Sequence, residues 1–291
     1  MGSESRGKVD LHIHSNASDG TFSPAEIVHQ AQVLRLGAIA ITDHDTLDGA
    51  KAAREMIPRP SVEILTGIEI SAESPPFYRC PGSFHILGYG IRLDDPPLNR
   101  TLTVLQEARK NRNPRIIERL REMGLPITLE EVIASVGEAQ IGRPHIARVM
   151  LEKGFVASID EAFDRYIGTH GPGYVGKYRI PCEDAVGLIR GAGGIPVLAH
   201  PGLLKPDTEA PFDRMISMLK EMGIEGIEVY YPEHSVSQTE YYSDIARRYD
   251  LMITGGSDFH GAIKPDIPLG GGEGFQVPFI VYEQLSRRCR R

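Results

Sequence analysis

The amino-acid sequence predicts an α/β barrel, closed or nearly closed, interrupted by a helical insertion. Three observations carry that expectation. Short apolar runs with strand character alternate with amphipathic helical patterns from Lys8 to about Ile91, and again from Cys182 to Thr254, which implies a parallel sheet flanked by helices. Between these stretches, from Pro96 to about Arg179, strand runs disappear and helical periodicity takes over. Finally, His or Asp stands where an apolar run ends in Val9-Asp10-Leu11-His12-Ile13-His14, Ala40-Ile41-Thr42-Asp43-His44-Asp45, Val197-Leu198-Ala199-His200-Pro201 and Gly256-Ser257-Asp258-Phe259-His260. Barrels gather chemistry at the carboxyl ends of their strands. A doubly wound open sheet, the alternative, spreads those exits along a line and makes their convergence harder.

The first strand, ending near His14, leads through a loop to Ser23-Pro24-Ala25-Glu26, which supplies an N-cap, a first-turn proline and the acid of a capping box. A helix runs from there to Leu36, Gly37 ends it in a left-handed conformation, and Ala38 to Thr42 forms a short strand. Asp45 and Asp48 read as residues that order the loop after His44. Val62 to Ile70 and Phe84 to Tyr89 continue the strand series across a Pro-rich loop that includes Ser74-Pro75-Pro76 and Pro81-Gly82. Helices are expected at Leu102 to Met123, Leu129 to Val136, His145 to Lys153 and Ile159 to Tyr166, the second opened by the capping box Thr128-Leu129-Glu130-Glu131. After a Gly-rich loop, Gly168 to Gly176, alternation resumes. Its elements are helix Cys182 to Arg190, strand Ile195 to Ala199, helix Pro211 to Met222, strand Gly226 to Tyr230, helix Ser237 to Tyr249 and strand Leu251 to Thr254. Gly193-Gly194 and Gly270-Gly271-Gly272 lack the strand-to-helix context of a dinucleotide site and read as turns. Met1 to Gly7 and the Arg-rich end, Arg287 to Arg291, read as flexible tails. The expected organisation is a discontinuous barrel, 8–95 and 180–285, with a helical insertion, 96–179, covering its mouth.

Composition narrows the function. The 291 residues carry a formal charge of −7, which argues against a broad surface tracking long nucleic acid but leaves room for a small anion held locally. Cys80, Cys182 and Cys289 are scattered without metal-binding spacing and read as free thiols of a reducing compartment. No long apolar segment and no secretory leader is evident, so the expected location is the cytoplasm, without a membrane partner.

His12 and His14 alternate with Leu11 and Ile13, so in an extended segment both imidazoles face one side and can share an ion. Asp10, Asp43 and Asp45 adjoin histidines either as ligands or as acceptors that orient an imidazole. Several such groups at separate strand exits fit a cluster of divalent metals. Elsewhere, Lys177 and Arg179 flanked by Tyr174 and Tyr178 suggest a basic, aromatic lip for a nucleotide. His234 follows a strand exit as a candidate substrate-lining group, while His29 and His170 read as structural or surface residues.

The ordered motifs D-L-H-I-H-S, S-D-G, A-I-T-D-H-D, G-I-E-I-S, H-I-L-G-Y, G-R-P-H, A-H-P and G-S-D-F-H resemble those of the PHP (polymerase and histidinol phosphatase) family of metal-dependent phosphoesterases. The likeness covers about Lys8 to Gly261. Within the family it is most similar to the branch of nucleoside 3′,5′-bisphosphate phosphatases and 5′-to-3′ oligoribonucleotide exonucleases. The resemblance implies a distorted (β/α)7, TIM-like barrel holding two or three divalent ions, manganese, iron or zinc. It makes His12, His14 and Asp258 ligands of a first metal, and Glu69 the carboxylate bridging first and second. His85 and His145 complete the second site, and Asp19, His44 and His260 form the third. Arg143 and His200 match phosphate-contacting positions, with His200 also a candidate proton donor.

That assignment is chemically coherent, since clustered cations acidify a bridging water and neutralise a transferring phosphoryl group. The expected activity is therefore hydrolysis of a phosphomonoester of a small nucleotide, a nucleoside 3′,5′-bisphosphate being favoured, by a metal-bridging hydroxide. Short RNA degraded from its 5′ end, histidinol phosphate, C–N bond hydrolysis and a non-catalytic metal-binding module are the alternatives.

Overall fold

The computed structural model describes residues 7–56, 60–80, 84–136, 141–206 and 211–290; the expected turn at Pro81-Gly82 and most of the N-terminal tail lie outside these. The chain begins with β1 (Val9–Ile13), α1 (Pro24–Val33) and β2 (Ala38–Ile41), and α1 opens on the expected capping box between Ser23 and Glu26. Next come α2 (Asp48–Arg54), β3 (Glu63–Glu73) and β4 (His85–Tyr89). The helical stretch comprises α3 (Pro96–Glu122), α4 (Leu129–Val136), α5 (Arg143–Glu152) and α6 (Ile159–Ala162). The remainder is β5 (Ile180–Pro181), α7 (Cys182–Gly191), β6 (Ile195–Leu198), α8 (Phe212–Met222), β7 (Gly226–Tyr230), α9 (Val236–Arg248), β8 (Met252–Gly255) and α10 (Phe279–Cys289).

Seven strands pair in the order β1-β2-β3-β4-β6-β7-β8, and the short β5 adds to β3 off that path. The path curls until its ends meet. Ile13 bridges to Phe259 beyond β8, the Asp258 N–H donates to the His12 carbonyl at 2.8 Å, and the His14 N–H donates to the Phe259 carbonyl at 2.9 Å. Closure needs an unusually close approach of two backbones. A Cβ on Gly256 would stand 2.2 Å from the His12 nitrogen, so no larger residue fits there.

One strand departs from the expected parallel sheet. β4 runs antiparallel to both β3 and β6, with Gly67 opposite Tyr89 and Leu87 opposite Val197. The reason lies in the connection, because β3 and β4 are joined without the crossover helix that a parallel return requires. Reversal has a consequence for the site. Every parallel strand delivers its last residues to the barrel mouth, whereas β4 delivers its first, His85.

Three further elements differ from expectation. α2 forms where a loop was expected, burying only small residues, Gly49, Ala50 and Ala53, which leave a weak apolar signature. α3 starts six residues earlier than its periodicity suggests, since Asp95 accepts from the Leu98 N–H as N-cap and two prolines occupy the first turn. The Arg-rich end is not a tail: α10 buries Val281 and Leu285 with Val9, Leu87, Tyr89 and Val197 at the end opposite the mouth. Arg288 pairs with Glu225 at 2.7 Å.

The cores are layered accordingly. Ile13, Ile39 and Ile41 pack against Ile27 and Val28 of α1, while Ile68, Ile70 and Ile86 pack with α7, α8 and α9. A separate core, built only from residues 116–175, holds α3 to α6 together through Ile116, Leu120, Ile146 and Met150. Among the described residues Cys80, Cys182 and Cys289 form no disulfide. Among the described residues no helix is long and apolar enough to cross a membrane.

Asp10 locks the closure. Its buried carboxylate accepts from the Ser257 N–H at 2.8 Å, the Ser257 hydroxyl at 2.6 Å and the Gly270 N–H at 2.8 Å. Asp10→Ala would leave those buried donors without an acceptor and is expected to cost about 2–5 kcal/mol of stability. Urea unfolding measures it, and a loss below about 1 kcal/mol would contradict the latch.

Candidate metal centre

Glu69 sits in the middle of β3, fully buried, with five imidazoles from four chain segments around it. His44 Nδ1 is 2.7 Å from one carboxylate oxygen and His14 Nε2 3.3 Å from the same atom. His85 Nδ1, His200 Nε2 and His12 Nε2 lie 2.9, 3.0 and 3.6 Å from the other. Asp258 approaches His14 at 3.1 Å and His12 at 3.4 Å. Asp19 stands 3.6 Å from His260, 3.7 Å from His14 and 3.9 Å from His44.

Three overlapping groups have ligand atoms within 4.8 Å of one another: His12, His14 and Glu69; His44, Glu69 and His85; and His14, Asp19, His44 and His260. Whether this cluster suits a metal can be judged from its unmet atoms. His12 Nε2, His14 Nε2, Asp19 Oδ1, His44 Nδ1 and Glu69 Oε2 are all buried without a hydrogen-bond partner among the described residues. His44 Nδ1 and Glu69 Oε2 approach closely yet are not aligned as donor and acceptor. Buried polar atoms are rarely left so, and donors roughly 3 Å apart are what ligands about 2.1 Å from a common ion require. The cluster fits divalent metal.

The surrounding residues aim these groups. Glu228 on β7 accepts from His12 Nδ1 at 2.9 Å and from the His200 N–H at 2.7 Å, which turns His12 Nε2 toward Glu69. His260 Nδ1 donates to the Asp258 carbonyl at 2.7 Å, which likewise presents its Nε2. Asp258 itself is held by the Tyr231 hydroxyl at 2.8 Å and by Lys264 at 2.6 Å. Asp43, read above as a ligand or an orienting acceptor, accepts from Ser15 and Ser18 and ties the first loop to the exit of β2. Asp45 accepts from the Ser71 N–H at 2.8 Å and pairs with Arg109 at 2.9 Å and Lys177 at 3.0 Å. Neither touches an imidazole as a ligand would. Three non-glycine residues at this mouth, Asp45 (φ 55°), His200 (φ 26°) and Asp258 (φ 55°), adopt left-handed backbone, strain that concentrates at functional sites.

Electrostatics follow from burial. Desolvation alone would raise the carboxyls of Glu69, Asp19 and Asp258, but neighbouring positive charge holds each well below its usual range. At Glu69 this comes from His44, His85 and His12; at Asp19 from His44, His260 and His14; and at Asp258 from Lys264, His260 and His12. Conversely, burial opposes the charged form of His14, yet Asp258 and Glu69 raise it to about 9. Burial drives His85 down to about 3.

The candidate residues divide as follows. His12, His14, Asp19, His44, Glu69, His85, Asp258 and His260 come together at the mouth, and His200 joins them: its Nε2 is 3.0 Å from Glu69 and 3.2 Å from His85. His145 does not join the three groups among the described residues. Its Nδ1 accepts from the Gly142 N–H at 2.9 Å as part of the α5 cap, so the neutral ring carries its proton on Nε2, where a ligand needs a lone pair. His234 lies outside the chamber over the cluster. The Gly202 N–H donates to its Nε2 and its Nδ1 donates to the Val229 carbonyl. Lys177 does line the chamber, but bound to Asp45 and the Ser71 hydroxyl rather than as an open lip; burial and Arg109 bring it down to about 7. Arg143 lines it too, its Nη1 donating to the Ile167 carbonyl at 3.0 Å and its guanidinium lying 5.4 Å from both the Phe163 and Tyr174 rings.

Sequence reasoning missed Glu228, Tyr231, Lys264, Arg109 and Arg112. An acid inside the apolar strand Gly226-Ile227-Glu228-Val229-Tyr230 was a readable signal. The arginines of α3 look like any solvated helix face.

Residues 10–257 match the PHP domain model. The chain belongs to the PHP domain family. It is 32% identical to the 3′,5′-nucleoside bisphosphate phosphatase of Chromobacterium violaceum, across 97% of this chain and 98% of that protein. It is 33% identical to the 5′-3′ exoribonuclease Rnm of Salmonella typhimurium, across 86% and 84%. Among solved structures, a candidate metal-dependent phosphoesterase from Bifidobacterium adolescentis superposes with a TM-score of 0.85 at 31% identity, covering 96% of each chain.

With His14 raised above the ordinary imidazole value, the metal-free PHP site holds a proton there at pH 7, and an incoming cation must displace it. His12 is raised as well, and manganese affinity is expected to rise with pH above 7, by about tenfold per unit for each proton displaced. Calorimetric titration of the metal-free protein in two buffers of different ionisation heat counts the protons. None released at pH 7 would refute the coupling.

Proposed function

We propose that this PHP-domain protein is a metal-dependent phosphatase that removes a phosphomonoester from a small nucleotide, with a nucleoside 3′,5′-bisphosphate as the favoured substrate. One observation carries the reading. A chamber of about 230 Å³ is lined by Asp19, His44, Glu69, His85, His200, Asp258 and His260 together with arginines including Arg143. The likeness to a bisphosphate phosphatase over nearly the whole chain supports the choice of phosphorus and of substrate class.

In this reading His12, His14, Glu69 and Asp258 hold one divalent ion and His44, Glu69, His85 and His200 a second. Asp19, His14, His44 and His260 surround a third position. The bound ions, manganese, iron or zinc, supply a water acidic enough to attack phosphorus near neutral pH and neutralise charge on the phosphoryl oxygens. Glu69 suits the shared position because its two oxygens face different imidazoles. Glu228 and the Asp258 carbonyl fix the tautomers of His12 and His260, so their lone pairs need no reorganisation. His200 is assigned here as a ligand in place of the expected proton donor, since its Nε2 is turned into the cluster. Arg143, clamped between two rings, presents a planar fork to phosphate oxygens. The helices of residues 96–179 roof the mouth and admit small or single-stranded ligands.

Degradation of short RNA from its 5′ end is the second reading, supported by the likeness to Rnm across most of both chains. A manganese-supplemented panel separates the two. Phosphate from nucleoside 3′,5′-bisphosphates, above that from mononucleotides and histidinol phosphate, supports the first; nucleotides released from 5′-phosphorylated oligoribonucleotides support the second. Bound metal with no product from any of them defeats both. Arg143→Ala is expected to lower turnover about 100-fold while leaving metal content within about twofold, and equal losses of both would remove its phosphate role.

A further inference from the structure

Glu69 and Asp258 both serve the cluster, but the groups around their oxygens differ. Both oxygens of Glu69 face imidazoles: His14 and His44 stand near Oε2, and His12, His85 and His200 near Oε1. Asp258 divides its oxygens. Its Oδ1 lies 3.1 Å from His14 Nε2, 3.4 Å from His12 Nε2 and 3.5 Å from His260 Nδ1. Its Oδ2 accepts from the Tyr231 hydroxyl at 2.8 Å and from the Lys264 ammonium at 2.6 Å. A carboxylate oxygen has about two lone-pair sites, and two short charge-assisted bonds occupy both. What Asp258 leaves to a cation is Oδ1.

Packing fixes the phenol in that place. Tyr231 follows β7 and is buried, its ring edge-on to His200 at 5.7 Å between centroids and 5.2 Å from the His234 ring. His234 is fixed in turn by the Gly202 N–H and the Val229 carbonyl. The chamber lining includes Asp258 and Lys264 but not Tyr231, so a ligand in the chamber meets the carboxylate and not the phenol. A phenol keeps its proton at neutral pH and donates. Asp258, set on left-handed backbone at φ 55°, therefore has its carboxylate plane held from behind by two donors.

We propose that Tyr231, assisted by Lys264, is a positioning residue for the metal centre: by occupying Oδ2 it confines Asp258 to one ion through Oδ1, beside His12 and His14, and leaves Glu69 as the carboxylate that serves two. The inference rests on the metal reading of the cluster given above and not on which ester is hydrolysed. Its content is a choice of denticity, made by a residue that touches neither ion nor substrate. Released from the phenol, Oδ2 is free to join Oδ1 on the same ion, and the carboxylate loses one of its two anchors.

Tyr231→Phe is the discriminating variant, because it removes one hydrogen bond without changing charge, whereas loss of Lys264 also removes a cation and shifts metal affinity electrostatically. Metal-free wild type, Tyr231→Phe and Asp258→Asn are titrated calorimetrically with manganese, and cobalt(II) is added at one equivalent for its visible spectrum. Tyr231→Phe is expected to bind manganese about 10-fold more weakly at the step that Asp258→Asn abolishes, and within about twofold of wild type at the other steps. Its cobalt absorption per bound ion should fall, since an added oxygen ligand raises the coordination number. The thermal midpoint of the metal-free variant should stay within about 2 °C of wild type. An unchanged affinity at that step, or an unchanged cobalt spectrum, overturns the clamp. Equal weakening of every step with a lowered midpoint would mark Tyr231 as structural and overturn it as well. If wild type binds neither manganese nor cobalt, the metal reading itself fails and the clamp falls with it; a wild type that binds metal no better than Tyr231→Phe defeats the clamp alone.

Discussion

A carboxylate buried at the centre of a barrel mouth has to be surrounded by compensating groups, and the structure is organised around that requirement at Glu69. Five imidazoles from β1, the exits of β2 and β6, and the start of β4 stand within 3.6 Å of its oxygens. Three aspartates maintain the approach. Asp10 ties β1 to the segment after β8, Asp43 ties the first loop to β2, and Asp45 ties β2 to β3 and to α3. The left-handed residues Asp45, His200 and Asp258 lie at the same exits, so the strain in the backbone sits where the ligand geometry is made.

Asymmetry in the barrel then shapes the chemistry. A fully parallel sheet would bring only carboxyl ends to the mouth, but the reversed β4 adds His85 at its beginning, where Glu69 and His200 are in reach. The helices between β4 and β5 contribute the opposite sign of charge. They share a core of their own, while Leu98, Leu102 and Leu105 of α3 pack into the barrel core, and between them they present Arg109, Arg112 and Arg143 to the chamber. The Asp45 carboxylate joins the two parts, taking Arg109 from α3 and Lys177 from the segment leading into β5. The chamber thus brings a cluster fitted for cations and a set of basic groups together in one lining.

The sequence by itself determined the barrel, most of its elements and the identity of the gathered histidines and acids. Alternating apolar and polar residues, capping boxes such as Ser23 to Glu26, and motif order are local or linear properties, legible without coordinates. It could not distinguish His145 from His200. Both follow recognisable motifs, and only the hydrogen bond from Gly142 to one ring, against the approach of Glu69 to the other, separates a cap from a cluster member. Nor could it find Arg112, whose neighbours on the helix resemble a solvated face. Tertiary structure decided the direction of β4, the plug formed by α10 and the charge on each wall of the chamber. These depend on which distant groups exclude water from one another, and burial of charge is a property of the assembled fold that no single stretch of chain contains.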